Sequence, residues 1–154
     1  MKKLIMRWKL MIIKNLRYSR ESLDIKQKDL ATFFGVHHST YSGWETGKDT
    51  IPINRLIQYA NTYKFNIDYL YGFSNDKSFI GTYSDDAKII GENLRSLRKK
   101  YGYTQQQIAN KLNCGRSTYA LYESGKNIIL TEFLYALSKI YPNFSVDYIL
   151  KKQK

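Results

Sequence analysis

The chain repeats itself. The run Asn15-Leu16-Arg17 through Glu45-x-Gly47-Lys48 returns as Asn93-Leu94-Arg95 through Glu123-x-Gly125-Lys126, always displaced by 78 residues. Over positions 15–62 this ungapped offset brings 14 residues onto their own type: Asn15, Leu16, Arg17, Arg20, Gln27, Ala31, Ser39, Thr40, Tyr41, Glu45, Gly47, Lys48, Ile51 and Leu56. A single register that keeps a Gln, an Ala, a Ser-Thr-Tyr triplet and a Glu-x-Gly-Lys together does not arise from composition, so the chain is a duplicated domain. Positions the copies share report on fold and docking. Positions where they differ report on specificity.

Length and charge set the class. With 154 residues, 43% hydrophobic and 25% charged, two globular units of roughly 60–70 residues are expected, each near the lower size limit for independent folding. Two prolines in the whole chain favour helices. The formal net charge of +12 is shared equally between residues 1–73 and 74–154. Both copies are therefore basic, as two units facing a polyanion would be; the competing account is a Lys-rich solvated surface.

The single cysteine, Cys114, excludes an internal disulfide framework and suits a reducing compartment. It takes the slot of Val36 and reads as a small apolar residue rather than a reactive thiol. The run Met1 to Lys9 is broken by Arg7 and Lys9, and no stretch approaches 18 apolar residues. Neither a signal peptide nor a membrane span is expected, and the expected location is cytoplasmic, at the nucleoid. Residues 1–10 read as an extension ahead of the first copy.

Both copies yield the same helices. Ile90, Leu94, Leu97 and Tyr101 follow the i, i+4, i+7, i+11 spacing of an amphipathic helix, and Ile12, Leu16, Ser19 and Leu23 hold the same slots in the first copy. Thr104-x-x-Gln107 is a capping box that starts a second helix at Gln105; the equivalent helix starts at Gln27 behind the poorer cap Lys26. These helices are expected to end near Phe34 and Leu112, where Gly35 and Asn113, the residue types that best tolerate positive φ, turn the chain. A third short helix follows with Val36/Cys114, Tyr41/Tyr119 and Trp44/Tyr122 inward, stopped by Gly47 and Gly125. Ala31 and Ala109 would let helices two and three cross closely. A fourth helix runs through Leu56 and Ala60, and through Leu134 and Leu137; a fifth lies near Asp68-Tyr69-Leu70 and Asp147-Tyr148-Ile149. The stretch 74–87 reads as a linker between domains 1–73 and 88–154.

These residues carry a resemblance. Gln27-x-x-Leu30-Ala31-x-x-x-Gly35-Val36-x-x-Ser39-Thr40-Tyr41-x-x-Trp44-Glu45-x-Gly47-Lys48, and its copy from Gln105 through Lys126, resemble the Cro/repressor (Xre-type) helix-turn-helix family. The resemblance implies an all-α fold of two tandem five-helix, lambda-repressor-like domains, with double-stranded DNA as the partner. It places a recognition helix in the major groove with its first turn at base edges, and helix two beside a phosphate.

On that resemblance, Gln27 and Gln105 are expected at a phosphate, and Lys48 and Lys126 as non-specific phosphate contacts. The base-reading positions map onto His37, His38, Ser39 and Ser42 with Gly43 in the first copy and onto Gly115, Arg116, Ser117 and Ala120 with Leu121 in the second, and Thr40 and Thr118 are expected as further DNA contacts. Arg116 can grip guanine bidentately, whereas His38 and Ser39 offer more ambiguous bonds. Arg20 with Glu45, and Arg98 with Glu123, correspond to the family's ion pair joining helix one to the end of helix three, so both read as structural pairs.

Catalysis finds little support. Gly43 to Asp49 has three residues between its glycines where a phosphate-binding loop has four, and Asp49 where Ser or Thr would hold magnesium. His37-His38 lacks a further ligand at metal spacing, and no nucleophile-base set appears. No enzyme activity and no cofactor are expected. The function expected is a sequence-specific DNA-binding transcriptional regulator, a repressor of bacterial or phage type. The alternative is a protein-interaction module, or a homodimer, using helices four and five, where Tyr69-Tyr71-Phe73 and Tyr141-Phe144-Tyr148 would supply an aromatic surface; the competing account makes these aromatics core and rim residues of the same helices.

Overall fold

Helix follows helix through residues 13–154, the part of the chain that the computed structural model describes. The extension at residues 1–10 and Ile12 lie outside the described residues. The chain divides into two compact units, one ending at Ile80 and one beginning at Gly81. Among the described residues there are ten helices and no strand.

The first unit contains α1 (Leu16–Ser22), α2 (Gln27–Phe34), α3 (His38–Thr46), α4 (Ile53–Tyr63) and α5 (Ile67–Tyr71). The second contains α6 (Ala87–Lys100), α7 (Gln105–Leu112), α8 (Arg116–Ser124), α9 (Thr131–Leu137) and α10 (Val146–Ile149). Caps set the ends. Asp86 accepts the Lys88 N–H at 2.9 Å and starts α6, and the Thr104–Gln107 capping box starts α7. In front of α2 only half of that box can form, because a Lys26 ammonium cannot accept; Asp29 takes the Lys26 N–H at 3.3 Å.

Each core is built by the inward faces of these short helices. Phe34 sits centrally in the first, with ring centroids 5.4 Å from Trp44, 6.0 Å from Tyr41 and 6.3 Å from Tyr59. Rings of this size bury a large apolar area for so small a unit, beside aliphatic residues such as Leu30, Leu56 and Leu70. Ser19, expected on an apolar stripe, is buried with its hydroxyl 2.7 Å from the Tyr59 hydroxyl. The corresponding sequence positions in the second copy are Leu97 and Leu137; the first unit has two polar side chains where the second has two apolar ones, and both hydroxyls are satisfied.

Two expectations need correction. The inward face of α6 is Ile90, Gly91, Asn93, Leu94 and Arg98. Leu97 is only half-buried, and Tyr101 is 37% exposed at the end of the helix. Polar Asn93 and Arg98 go inside because they meet carbonyls and a carboxylate there, which shifts the buried stripe. The aromatic surface on helices four and five also dissolves: Tyr69, Tyr71 and Tyr141 are buried, Phe73 and Phe144 are half-buried, and Tyr148 is the exposed one.

The helix packing is tightest in the second unit. A Cβ on Gly91 would lie 2.4 Å from the Tyr122 carbonyl oxygen and 2.5 Å from that of Glu123, and one on Gly125 would lie 2.8 Å from Lys88 Cα. Helix α6 thus lies directly on the end of α8. The segment 74–87 is divided at the unit boundary. Asn66 donates to the Ser78 carbonyl at 3.1 Å in the first unit. In the second, Tyr83 is buried with its hydroxyl 2.5 Å from Asp147 Oδ1, and the Ser84 N–H donates to the Leu150 carbonyl at 2.7 Å.

Candidate nucleic-acid interface

Helices α2 and α3, and α7 and α8, are joined by the same three-residue turn. Gly35 ends α2 at φ 66° and Asn113 ends α7 at φ 57°, the left-handed conformation that most side chains resist. The next N–H closes the turn, Val36 to the Ala31 carbonyl at 2.9 Å and Cys114 to that of Ala109 at 3.0 Å. Ala31 and Ala109 are buried beneath it. Cys114 is half-buried, and burial pushes its thiol pKa up, away from reactivity.

The turn delivers the start of α3 and α8 to the surface. His37, His38 and Ser39 are exposed, with Thr40 and Ser42 half-buried; Gly115, Arg116 and Ser117 are exposed, with Thr118 half-buried. Lys48 and Lys126 are exposed beyond the closing glycines. The caps differ. His37 Nδ1 accepts the Ser39 N–H at 3.2 Å and lies 2.7 Å from the Ser39 hydroxyl. Gly115 caps α8 with no side chain. Arg116 makes no hydrogen bond or ion pair among the described residues.

Near the end of α3 and of α8 stands one inward-facing carboxylate. Arg20 donates to Glu45 from Nε at 2.5 Å and from a terminal nitrogen at 3.3 Å; Arg98 does the same to Glu123 at 2.6 and 2.9 Å. The third guanidinium nitrogen binds the Ile25 carbonyl at 2.7 Å and that of Tyr103 at 2.8 Å. The pairs are nearly dry, with Glu45 and Glu123 side chains 2% and 3% exposed. Burial alone would raise these carboxylate pKa values, but hydrogen bonds from the arginine, the glutamine and a tyrosine outweigh it and hold both below the ordinary range. Arg20 and Arg98 are raised in turn, chiefly by their bonds to the glutamates. Burial, then the adjacent Glu45 and Glu123, push the Tyr41 and Tyr119 hydroxyls far up, so they stay protonated donors.

Gln27 and Gln105 belong to this network. Their Nε2 groups donate to Glu45 at 2.8 Å and to Glu123 at 3.2 Å. The side-chain amide is thus spent inward. Gln27 Oε1 also lies 3.1 Å from His38 Nε2.

Two shared positions carry structural roles that the sequence alone did not assign. Tyr41 donates to Glu45 at 2.9 Å, and Tyr119 does so to Glu123. Asn93 Nδ2 reaches the carbonyls of Ile149 at 2.9 Å and Lys151 at 2.7 Å, and Asn15 reaches that of Tyr69 at 2.7 Å. Each asparagine ties the first helix of its unit to the last. Their identity in both copies was the available signal.

The helix-turn-helix family model matches residues 16–70 and 94–149, most of the chain. The HTH-type transcriptional regulator ImmR of Bacillus subtilis is 40% identical over 65 residues, 42% of this chain and 50% of that one. The uncharacterized HTH-type transcriptional regulator YobD of the same organism is 27% identical over 90 residues, 58% of this chain and 73% of that one. A putative HTH-type transcriptional regulatory protein of Pyrococcus furiosus is 35% identical over 54 residues, 35% of this chain and 17% of that one. The chain spans half the length of the first of these relatives. No solved structure matches significantly. Two helix-turn-helix segments, each braced by an Arg–Glu–Gln network and each matched by the family model, place this chain in the Xre-type helix-turn-helix family of DNA-binding transcription regulators.

Proposed function

We propose that the chain is a transcriptional repressor that reads duplex DNA through the major groove with two non-identical recognition helices, α3 and α8. One observation carries the reading. On the same Arg–Glu–Gln frame, the first reader presents His37 and His38 where the second presents Gly115 and Arg116. Identical frames with different tips suit one mode of docking and two sequences. Lys48, Lys126 and the N-termini of α2 and α7 would hold phosphates on either side. A protein seated on an operator that overlaps a promoter blocks the duplex it covers, and binding of that kind would repress.

Selection of bound duplexes from a random pool by the full chain tests this. The expected product is a bipartite site with two unlike halves, whose binding falls steeply with salt at a slope of about −0.9 per phosphate neutralised. Recovery of one short half-site, or a nearly flat salt dependence, would sink the two-reader function. A second surface bears on assembly: Leu97, Lys100, Tyr101, Phe144 and Tyr148 line an open groove in the second unit, and a second copy or a protein partner seated there would protect Tyr101 and Tyr148 from solvent.

A further inference from the structure

His38 is the first residue of α3, its ring exposed and its Nε2 3.1 Å from Gln27 Oε1. The proton on that ring is placed by a carboxylate it does not touch. Glu45, gripped twice by Arg20, is ionised and can only accept. The Gln27 group 2.8 Å from Glu45 Oε2 must therefore be the amide NH2. The other end of that amide is then its carbonyl, which also only accepts. His38 Nε2 must donate, and in a neutral imidazole that leaves Nδ1 as the unprotonated acceptor.

Building on the two-reader function, we propose that His38 is a specificity residue that presents Nδ1 as an acceptor and selects a base bearing an exocyclic amino group, adenine or cytosine. In the major groove adenine offers N6–H and cytosine N4–H, whereas guanine shows N7 and O6 and thymine shows O4, all acceptors. An acceptor set against an acceptor leaves both unpaired, which costs more than a made bond contributes. The second unit keeps the first step of the relay and lacks the last. Gln105 bonds Glu123 at 3.2 Å, but the residue at the position of His38 is Arg116, which can only donate and suits guanine. The two half-sites thus differ in hydrogen-bond polarity at equivalent steps.

The test uses the full chain at pH 8 and duplexes that the chain itself selects. In 15N-histidine spectra of the free protein, with His38 identified by the signals lost in His38→Asn, the ring should carry its proton on Nε2. Gln27→Met, which keeps the bulk and removes the carbonyl, should give a mixture of tautomers. A parent His38 protonated mainly on Nδ1 overturns the proposal. In the duplex, the step whose base preference disappears in His38→Ala should favour adenine or cytosine by about fivefold, the worth of one net hydrogen bond. Preference there for guanine or thymine, or no step that depends on His38, overturns it too. Arg116→His should convert the guanine preference of the second half-site to adenine or cytosine. Failure to select any duplex would count against the two-reader function itself, while a selected duplex of the wrong polarity counts against His38 alone.

Discussion

The Arg98 guanidinium holds the Glu123 carboxylate by two hydrogen bonds, Nε to Oε2 at 2.6 Å and a terminal nitrogen to Oε1 at 2.9 Å, across 25 residues of sequence. Arg20 and Glu45 repeat the arrangement at the same separation. Each pair runs from the first helix of its unit to the third, and each arginine also satisfies a carbonyl of the loop before α2 or α7. Removing the arginine would strand a carboxylate that is almost fully buried. Arg20→Ala and Arg98→Ala are therefore each expected to cost about 3 kcal/mol, lowering the melting temperature of the affected unit by roughly 10 °C or more. Calorimetry of both variants checks this; if they melt like the parent yet lose DNA binding, the arginines touch DNA instead.

The same pairs set the acid limit. Glu45 and Glu123 have folded-state pKa values below the ordinary 4.5, so the unfolded chain binds these protons more tightly than the folded one. The stability they contribute is present in full above that ordinary value and is lost as pH falls through the depressed folded values. Melting temperature against pH should be level from neutrality down to about 5 and fall below it. In Glu45→Gln the first unit's share of that fall should shrink; an unchanged acid profile would show that other carboxylates govern it.

Gly91→Ala should be far more damaging than its single methyl suggests. The added carbon would sit 2.4 and 2.5 Å from two backbone carbonyl oxygens of α8, and neither can rotate away. A cost on the order of 3 kcal/mol is expected, since α6 would have to lift off α8. Gly115→Ala is the contrast, with φ −70° and nothing nearer than 3.8 Å; it should cost at most about 1 kcal/mol. Equal melting temperatures for the two variants would mean that α6 adjusts freely.

Arg116 and Lys126 should separate base reading from phosphate anchoring. Arg116→Ala is expected to cost about 1–3 kcal/mol on a duplex with guanine at its step and much less on one without. Lys126→Ala should weaken all sequences alike and make the salt slope shallower. Titrating both variants against a guanine-substituted panel reads this out, and equal losses for Arg116→Ala on every duplex would make it one more backbone contact.

Local and repeated features made the helices legible. Two copies in one register, Gly35 facing Asn113, the Thr104 capping box and the closing Gly47 and Gly125 all act within a few residues of chain, where backbone sterics and capping bonds decide the outcome. The all-α fold and the family follow from them. What the sequence left open depended on partners far along the chain. That the Gln27 amide turns inward to Glu45 is a contact across 18 residues, and the clasp from Asn93 to the Ile149 carbonyl spans 56. Neither spacing has a local signature, although the identity of both residues in the two copies marked them. Burial of Tyr69, Tyr71 and Tyr141, and the exposure of Tyr101 at the end of α6, likewise came from tertiary packing, whereas the inward Arg98 was legible as the partner of Glu123. A side chain's hydropathy states its average preference for water, but whether a carbonyl or a carboxylate awaits it inside is set only when the helices meet.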